Sequence, residues 1–408
     1  MIFRRNYKRR NKPLMKKKPS KALIIISTII VLLVLTILSN IVLNKVYKTK
    51  YEEFDSVDKE MFVQLSSIYK QFNENGEKLW NNKYKLNKEP IILIRTNKDK
   101  GIIRKYAYAV NVKGIEKSFL ARKINMPKSL NLPEVYRISK FDISLISTWA
   151  PSNFGTVDIN GKSIFYFKYH PKMIENPELY FDFTSFLLHE SFHTYKQKDW
   201  TYDKGDGEYI ENYPVNKENY ALMGLEFKLL DKCMETNNKE EVKKYLKQWT
   251  TVRAYRYKKW PQLVAETNTE AIEGTARYIE YKYSDLTGGK LTVLAKKESP
   301  YYVTFMQAYD YIANGQAESP SYLERSMKYE TGSALGLVMD KIDINWKKGI
   351  EDRKDKNGET QYKILKKYFN ISDKDITEDK INQIKEENDY NELLKQGQKI
   401  VDLVNNNN

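Results

Sequence analysis

The sequence predicts an α+β protein that begins with a single membrane-spanning helix. Three features predict this class: an uncharged apolar stretch near the N-terminus, a segment rich in β-branched and aromatic residues at 86–177, and helical periodicity from residue 178 onward. We expect a small mixed or antiparallel sheet beside one long helix, followed by a mainly helical C-terminal subdomain. With 408 residues and 41% hydrophobic residues, the chain is long enough to bury a sizeable core.

The apolar stretch at residues 22–44 has the length of a membrane span. Its uncharged part, 22–43, would form a helix about 33 Å long at ~1.5 Å per residue. A cleavable signal peptide would have a shorter apolar stretch and a small-residue cleavage site, so we expect an uncleaved anchor. The basic residues 1–21 predict, by the positive-inside rule, a single-pass membrane protein with a cytoplasmic N-terminus and an extracellular domain.

The charge of the chain is concentrated in that tail. Of the formal net charge of +16, ten positive charges lie in residues 1–21. The remainder is too weakly basic to predict nucleic-acid binding, but it suits contact with anionic lipid or an anionic cell-wall polymer. The chain has one cysteine, Cys233, which excludes an internal disulfide and a thiolate metal cluster. Any metal site must therefore use histidine and carboxylate ligands.

Residues 45–85 have apolar spacing typical of a helix within a charged sequence, and we interpret them as a helical stalk. Strands are predicted at 91–95, 102–112 and 156–169, the last with a hairpin turn at Asn160-Gly161. Residues 286–320 are predicted to be rich in loops. The chain thus divides into a basic cytoplasmic tail (1–21), a transmembrane anchor (22–44), a helical stalk (45–85), a β-rich subdomain (86–177), a helical subdomain (178–350) and a C-terminal helical region (351–408).

The helical subdomain contains an HExxH motif, His189-Glu190-Ser191-Phe192-His193, in a segment with the periodicity of a half-buried helix. Residues i and i+4 share one helix face, so both imidazoles can bind one tetrahedral Zn²⁺ while Glu190 faces its open position. Zinc would acidify a bound water and polarise a peptide carbonyl, and Glu190 would move the water's proton to the leaving amine. The motif therefore predicts a zinc-dependent peptidase.

The alternative interpretation is a buried helix with two structural histidines. With three histidines in 408 residues, the pattern arises by chance roughly once in several hundred such chains, which favours metal ligation. The third histidine, His170, precedes a proline at the end of a predicted strand. We predict that His170 has a structural or surface role.

A catalytic zinc site needs a third protein ligand, and the segment 265–281 supplies the carboxylates. The candidates are Glu266, Glu270, Glu273 and Glu280. Glu273 and Glu280 share a helix face that has Ala276 between them, so that face can pack close to another helix. We expect Glu270 either to contact a metal ligand or to be solvated.

Three arginines that follow the motif in the chain could bind a substrate carboxylate: Arg253, Arg256 and Arg277. Arginines on helices are more often solvated or paired with nearby acids. We favour that second interpretation for all three.

The motif and two later segments resemble the aminopeptidase-N type of gluzincin metallopeptidases. The segments are EGTARYIE at 273–280 and Tyr329-Glu330-Thr331-Gly332, which follow the HExxH motif in the order of that family. The resemblance covers about 160 residues and implies a thermolysin-like domain, with Glu273 as the third zinc ligand. It also implies that the Tyr329 hydroxyl stabilises the oxyanion of the reaction. From the residues alone, Tyr329 would be assigned to core or surface.

Two departures from the family limit what the resemblance implies. Between His193 and Glu273 lie 79 residues, where the family has a short spacer; an inserted pair of helices is the simplest explanation. No counterpart of the strand that recognises a free substrate N-terminus is evident, so endopeptidase and aminopeptidase action both stay open. The main rival hypothesis is a non-catalytic surface module for binding or sensing, which would not require Glu190.

Overall fold

The computed structural model describes residues 20–407, apart from 47, 97–103, 119, 140–141, 179, 202–208, 290, 297–303 and 354–355. The basic tail predicted at 1–21 therefore lies almost wholly outside the described residues. The strands are β1 (Ile91–Thr96), β2 (Arg104–Val110), β3 (Ala121–Lys123), β4 (Val135–Ser139), β5 (Phe154–Ile159), β6 (Lys162–Tyr169), β7 (Leu291–Thr292) and β8 (Ala295–Lys296). The α-helices are α1 (Lys21–Val46), α2 (Ser56–Glu74), α3 (Gly76–Leu79), α4 (Pro171–Glu175), α5 (Phe183–Tyr195), α6 (Lys217–Glu235), α7 (Lys239–Lys259), α8 (Glu266–Leu286), α9 (Phe305–Ala313), α10 (Ser326–Lys341), α11 (Lys347–Ile350), α12 (Gln361–Tyr368), α13 (Glu378–Glu386) and α14 (Tyr390–Asn407).

Helix α1 contains the predicted membrane span. Its segment Lys21–Ser39 has a mean hydropathy of 3.0, and none of it is buried against the rest of the protein. Its length and composition suit a membrane-spanning helix, and they equally suit a signal sequence.

The six larger strands form one mixed sheet in the order β3-β4-β2-β1-β6-β5, so the α+β class is confirmed. Strand β1 pairs in parallel with β6, and the remaining pairs are antiparallel. The β5–β6 hairpin turns at Asn160 and Gly161, whose φ angles of 54° and 71° suit the tight turn that the sequence predicted. The sequence did not predict β3 and β4, which are short.

Both faces of the sheet are buried, which explains why every residue of the central strand β1 is buried. Residues Leu93 and Phe167 belong to the large core shared with the helices. Residues Ile92 and Ile94 belong to a smaller core on the opposite face, closed by Leu145. The sheet therefore has the helices, including α5, on one face and a cover of loops and short turns on the other.

The stalk predicted at 45–85 is not a separate stalk, because helix α2 lies in the main core. Its buried side chains are Val57, Asp58, Met61, Phe62, Leu65, Ile68, Tyr69 and Phe72. The Asp58 carboxylate accepts hydrogen bonds from Arg95 at 2.9 Å and from the hydroxyls of Tyr108 and Tyr169 at 2.7 Å. The apolar spacing read from the sequence is thus the face by which α2 joins the sheet.

The long segment between the HExxH motif and Glu273 contains two helices, α6 and α7, that pack on each other. The segment 286–320 was predicted to be rich in loops, but it includes helix α9. This helix begins with a capping box, in which Thr304 and Gln307 each bond the other's backbone N–H. The structure therefore has more helix after residue 286 than the sequence predicted.

Candidate metal centre

Helix α5 carries both histidines of the motif. Its first turn is capped by Asp182, which accepts a hydrogen bond from the Ser185 backbone N–H at 2.9 Å. The neighbouring face of the helix, about 100° around from the histidines, is buried in the core through Leu188 and Phe192. The imidazole rings of His189 and His193 have centroids 4.8 Å apart, as expected for residues one turn apart on one face.

Helices α8 and α10 cross close to α5 with their backbones in contact. An added Cβ at Gly274 would lie 2.5 Å from the Cα of Gly332, and one at Gly332 would overlap the carbonyl oxygen of Glu270. Glu273 directly precedes the first glycine, and Tyr329 lies one turn before the second. The glycine crossing therefore fixes the backbones that carry these two side chains relative to each other.

The structure brings together His189, His193 and Glu273, with one potential ligand atom from each residue within 4.8 Å of the others. The Oε2 atom of Glu273 lies 3.1 Å from Nε2 of His189 and 3.3 Å from Nε2 of His193. Among the described residues, this is the group of at least three metal-ligating side chains that could hold an ion.

The second nitrogen of each imidazole is held by a neighbouring acceptor. Nδ1 of His189 lies 2.7 Å from Oε1 of Glu280, and Nδ1 of His193 lies 2.5 Å from Oε1 of Gln197. The Gln197 amide is itself fixed, since its Nε2 donates to the Ile272 carbonyl and to the Thr275 hydroxyl, both at 2.7 Å. In a neutral ring, an Nδ1–H that donates to such an acceptor leaves the lone pair on Nε2, directed at the cluster.

Two imidazole lone pairs and a carboxylate oxygen converge on one point, and all three are acceptors. Such a point favours a cation or a proton. Burial lowers the pKa of His189, but its hydrogen bonds to Glu273 and Glu280 outweigh burial and raise that pKa to about 9. Burial raises the pKa of Glu273, but the two histidines lower it well below its usual range. The donor set of two nitrogens and one oxygen therefore fits a divalent metal ion.

The acceptor Glu280 is held in turn by Arg277. The Arg277 guanidinium lies 2.6 Å from Oε2 of Glu280, 3.5 Å from Glu330, and 3.8 Å above the ring of Tyr180. Arg277 is thus paired with acids, as favoured from the sequence. Glu280, which the sequence left open as a ligand, contacts the outer nitrogen of His189 instead.

The other candidate carboxylates lie in a different, fully buried network. Glu270 accepts hydrogen bonds from Arg253 at 3.0 Å, and Glu266 accepts one from Arg256 at 3.2 Å. The expectation that Glu270 contacts a ligand or is solvated was wrong, because Arg253 neutralises it away from solvent. His170 lies outside the metal cluster, beside a separate pocket of about 230 Å³.

The cluster opens into a cleft of about 670 Å³ that Glu190 and Tyr329 also line. Burial raises the pKa of the Glu190 carboxyl above its usual value. The Tyr329 ring lies parallel to the His189 ring at 6.0 Å, and its hydroxyl accepts a hydrogen bond from Arg325 at 3.3 Å. The apolar wall of the cleft is formed by Phe154, Phe181 and Phe186.

Gln197 was missed by the sequence reasoning, and its role required the structure. It lies four residues after His193, just beyond the end of α5, and that spacing is the signal that could have found it. The outer role of Glu280 had a similar signal, since it lies seven residues after Glu273. Neither spacing shows which side chain Gln197 or Glu280 contacts, because those contacts depend on how α5 and α8 cross.

Comparison with protein-family models, curated proteins and solved structures gave no match. The gluzincin resemblance therefore stays an interpretation of three short motifs. The two histidines and Glu273 could bind a metal ion, and they do not by themselves identify a gluzincin.

Proposed function

We propose that the chain is a membrane-anchored zinc metallopeptidase of the gluzincin type, with a thermolysin-like domain, that hydrolyses peptide bonds of a peptide or protein substrate outside the cell. One observation carries the proposal: His189, His193 and Glu273 converge in an open cleft that also contains Glu190. The alternative is a non-catalytic surface module for binding or sensing, built on the same fold.

Zinc is the metal that this donor set suits best. Two neutral imidazoles and one carboxylate are the ligands of many catalytic zinc sites, and such sites keep one position open to substrate. Bound there, zinc would supply Lewis-acid chemistry by polarising a peptide carbonyl and making water more acidic. Acceptors at Nδ1, Glu280 for His189 and Gln197 for His193, would favour the tautomer in which each neutral imidazole presents Nε2 to the metal.

Glu190 supplies the proton transfer in this proposal. Its carboxylate lines the cleft next to the cluster. It accepts a proton from the water whose oxygen bonds to the carbonyl carbon, and it then donates a proton to the amine nitrogen as the C–N bond breaks. A carboxylate is not needed at this position for metal binding alone, which favours the peptidase over the binding module.

Tyr329 supplies a hydrogen-bond donor for the carbonyl oxygen as that oxygen becomes negative. Its position supports this role, because Tyr329 lines the cleft and its ring stacks beside that of a proposed metal ligand, His189. Arg325 donates to the Tyr329 oxygen, which makes the phenol a stronger donor. The phenylalanine wall of the cleft suits an apolar substrate side chain.

The extracellular location rests on helix α1 as an uncleaved anchor, with the basic tail in the cytoplasm. This part of the proposal is tested by protease treatment of intact cells. Lys83 is exposed on the folded domain, so we expect cleavage there from outside. Protection of the whole domain would contradict the topology.

Glu190→Gln separates the two candidate functions. We expect the variant to keep stoichiometric zinc and to lose peptidase activity by orders of magnitude, measured by metal analysis and by digestion of a peptide library. Glu175→Gln makes the same chemical change at an exposed position on helix α4 and serves as the control. Full activity of Glu190→Gln would overturn the catalytic assignment, and an unchanged cellular phenotype would favour the binding module.

A further inference from the structure

The chain enters its folded domain almost directly from helix α1. The carbonyl of Lys48 accepts a hydrogen bond from the buried Arg137 side chain. The carbonyl of Thr49 accepts one from the Asn125 backbone N–H at 3.1 Å, and Lys50 forms a β-bridge with Asn125. One residue separates the end of α1 from this fixed segment.

These contacts hold one edge of the sheet close to the bilayer. The uncharged stretch ends at Leu43, and Lys48 follows five residues later. Three of these five residues belong to helix α1, and two come after it. That path covers at most about 11 Å, because a helical residue spans ~1.5 Å and any other residue at most ~3.4 Å. A lipid headgroup layer is about 5–8 Å thick on each side. The edge formed by β3 and β4 therefore lies at the membrane surface, without the helical stalk that the sequence predicted.

The metal cleft lies at the opposite edge of the same sheet. Phe154 of the edge strand β5 lines the cleft, and helix α5 packs on the neighbouring strand β6. Five strand spacings separate β3 from β5, which amounts to about 24 Å at ~4.8 Å each. With the 11 Å path above and the ~10 Å thickness of the helix layer that carries the cluster, the cleft is about 45 Å from the hydrocarbon boundary, a distance that roughly thirteen extended residues span.

We propose that the substrate is a polypeptide tethered in the same membrane, cut within roughly the first ten to fifteen extended residues outside the bilayer. This inference rests on the proposed function. A domain fixed at the surface shares a thin layer with a tethered chain, which raises the effective concentration of one for the other, whereas a soluble peptide must arrive by diffusion from the bulk. Because no long linker separates the domain from the anchor, the cleft stays at one distance from the bilayer. It can therefore reach only those substrate segments that lie near the bilayer.

The position of the domain can be tested without any cleavage. A nitroxide is placed at the exposed β3 residue in Arg122→Cys, in the full chain with Cys233→Ala, the variant that removes the single native thiol. The chain is reconstituted in vesicles of phosphatidylcholine and phosphatidylglycerol that contain a gadolinium-chelate lipid. We expect strong relaxation of the label. Relaxation should weaken when a Gly-Ser linker of about 30 residues, with an r.m.s. length of roughly 30 Å, is inserted after Tyr47.

The substrate class is tested with a reporter that carries a randomised segment of about fifteen residues between a transmembrane helix and a fluorescent protein. The same reporter without its transmembrane helix is the soluble comparison. At equal micromolar concentration we expect the tethered reporter to be cut about tenfold faster or more. The inserted linker should reduce that advantage, because the domain then samples a thicker layer above the bilayer, and the same linker added after Asn408 should not.

The outcomes distinguish this inference from the proposed function. Equal rates on tethered and soluble reporters, or label relaxation that does not change when the linker is inserted, would overturn the inference and leave the peptidase proposal standing. No cleavage of either reporter by the zinc-loaded chain would contradict the peptidase proposal and the substrate class together.

Discussion

Helix α8 presents two pairs of glutamates to two different surroundings. Glu266 and Glu270, one turn apart, face the guanidinium groups of α7 in a region with no solvent exposure. Glu273 and Glu280, two turns apart, face the imidazoles of α5 at the edge of an open cleft. The same residue type on the same helix therefore serves in one place as part of the core and in the other as a candidate ligand shell.

The two glutamate pairs differ in the charge of the side chains that they contact. The buried network balances three cations against three acids: Arg253, Arg256 and Lys328 against Glu226, Glu266 and Glu270. In the cleft, the partners of Glu273 are two imidazoles whose Nε2 atoms are acceptors when neutral. A carboxylate beside a guanidinium is already neutralised, whereas one beside two imidazole lone pairs has a place for a cation.

The largest expected effect is the loss of metal binding and activity when a proposed ligand is removed. Glu273→Ala removes the carboxylate from the three-residue cluster, so we expect loss of stoichiometric zinc and of all peptidase activity, with the fold retained. Metal analysis and circular dichroism would check this. Glu175→Gln again serves as the control. Full zinc occupancy in Glu273→Ala would show that the two glutamate pairs do not differ as we propose.

The next effect is on stability. Arg253→Met leaves Glu226 and Glu270 buried without their shared guanidinium, which should lower the free energy of unfolding by about 3–5 kcal/mol. Lys259→Met, on the same helix, removes a partly exposed pair with Glu218 and should cost about 1 kcal/mol or less. Urea unfolding of both variants measures the difference. If both variants lower the free energy of unfolding by the same small amount, the buried network does not contribute to stability as we propose.

These same residues show which structural features the sequence alone could predict. The helix, the shared face of His189 and His193, and the β5–β6 turn follow from local periodicity, and the structure has each of them. Glu270 and Glu273 lie only about 60° apart around a helix with ~100° per residue. Spacing alone could not decide which of them meets Arg253 and which meets the histidines, because that depends on where α7 and α5 pack.

Helix α2 shows the same limit. Its apolar spacing predicted a buried face, but the spacing did not say whether that face meets another stalk or the domain itself. The buried Asp58 is the part that sequence could not assign, because its partners Arg95, Tyr108 and Tyr169 come from three different strands. Patterns along one element were predictable, and contacts between elements distant in sequence were not.

A third prediction concerns the crossing that holds both glutamate pairs in place. Gly332→Ala drives a methyl group into the carbonyl oxygen of Glu270, so α8 and α10 must separate. We expect a loss of about 3 kcal/mol in the free energy of unfolding and a lower kcat with zinc still bound, because Tyr329 moves relative to the cluster. Gly76→Ala, where the added Cβ would meet only the side-chain ends of Lys85 and Asn82, is the control. Unchanged stability and kcat in Gly332→Ala would show that the crossing is not tight.

The smallest effect is expected from the residue that orients a ligand without touching the metal position. Gln197→Leu keeps the size of the side chain but removes the acceptor for Nδ1 of His193 and the donors to α8. The ring can then rotate or exchange its tautomer, so zinc affinity should fall about 10–100-fold, measured by competition with a chelator. Lys198→Gln, at the exposed neighbouring position, should keep the original affinity. An unchanged affinity in Gln197→Leu would mean that His193 is oriented by α5 alone, and that only the Glu273 and Glu280 side of the cluster depends on α8.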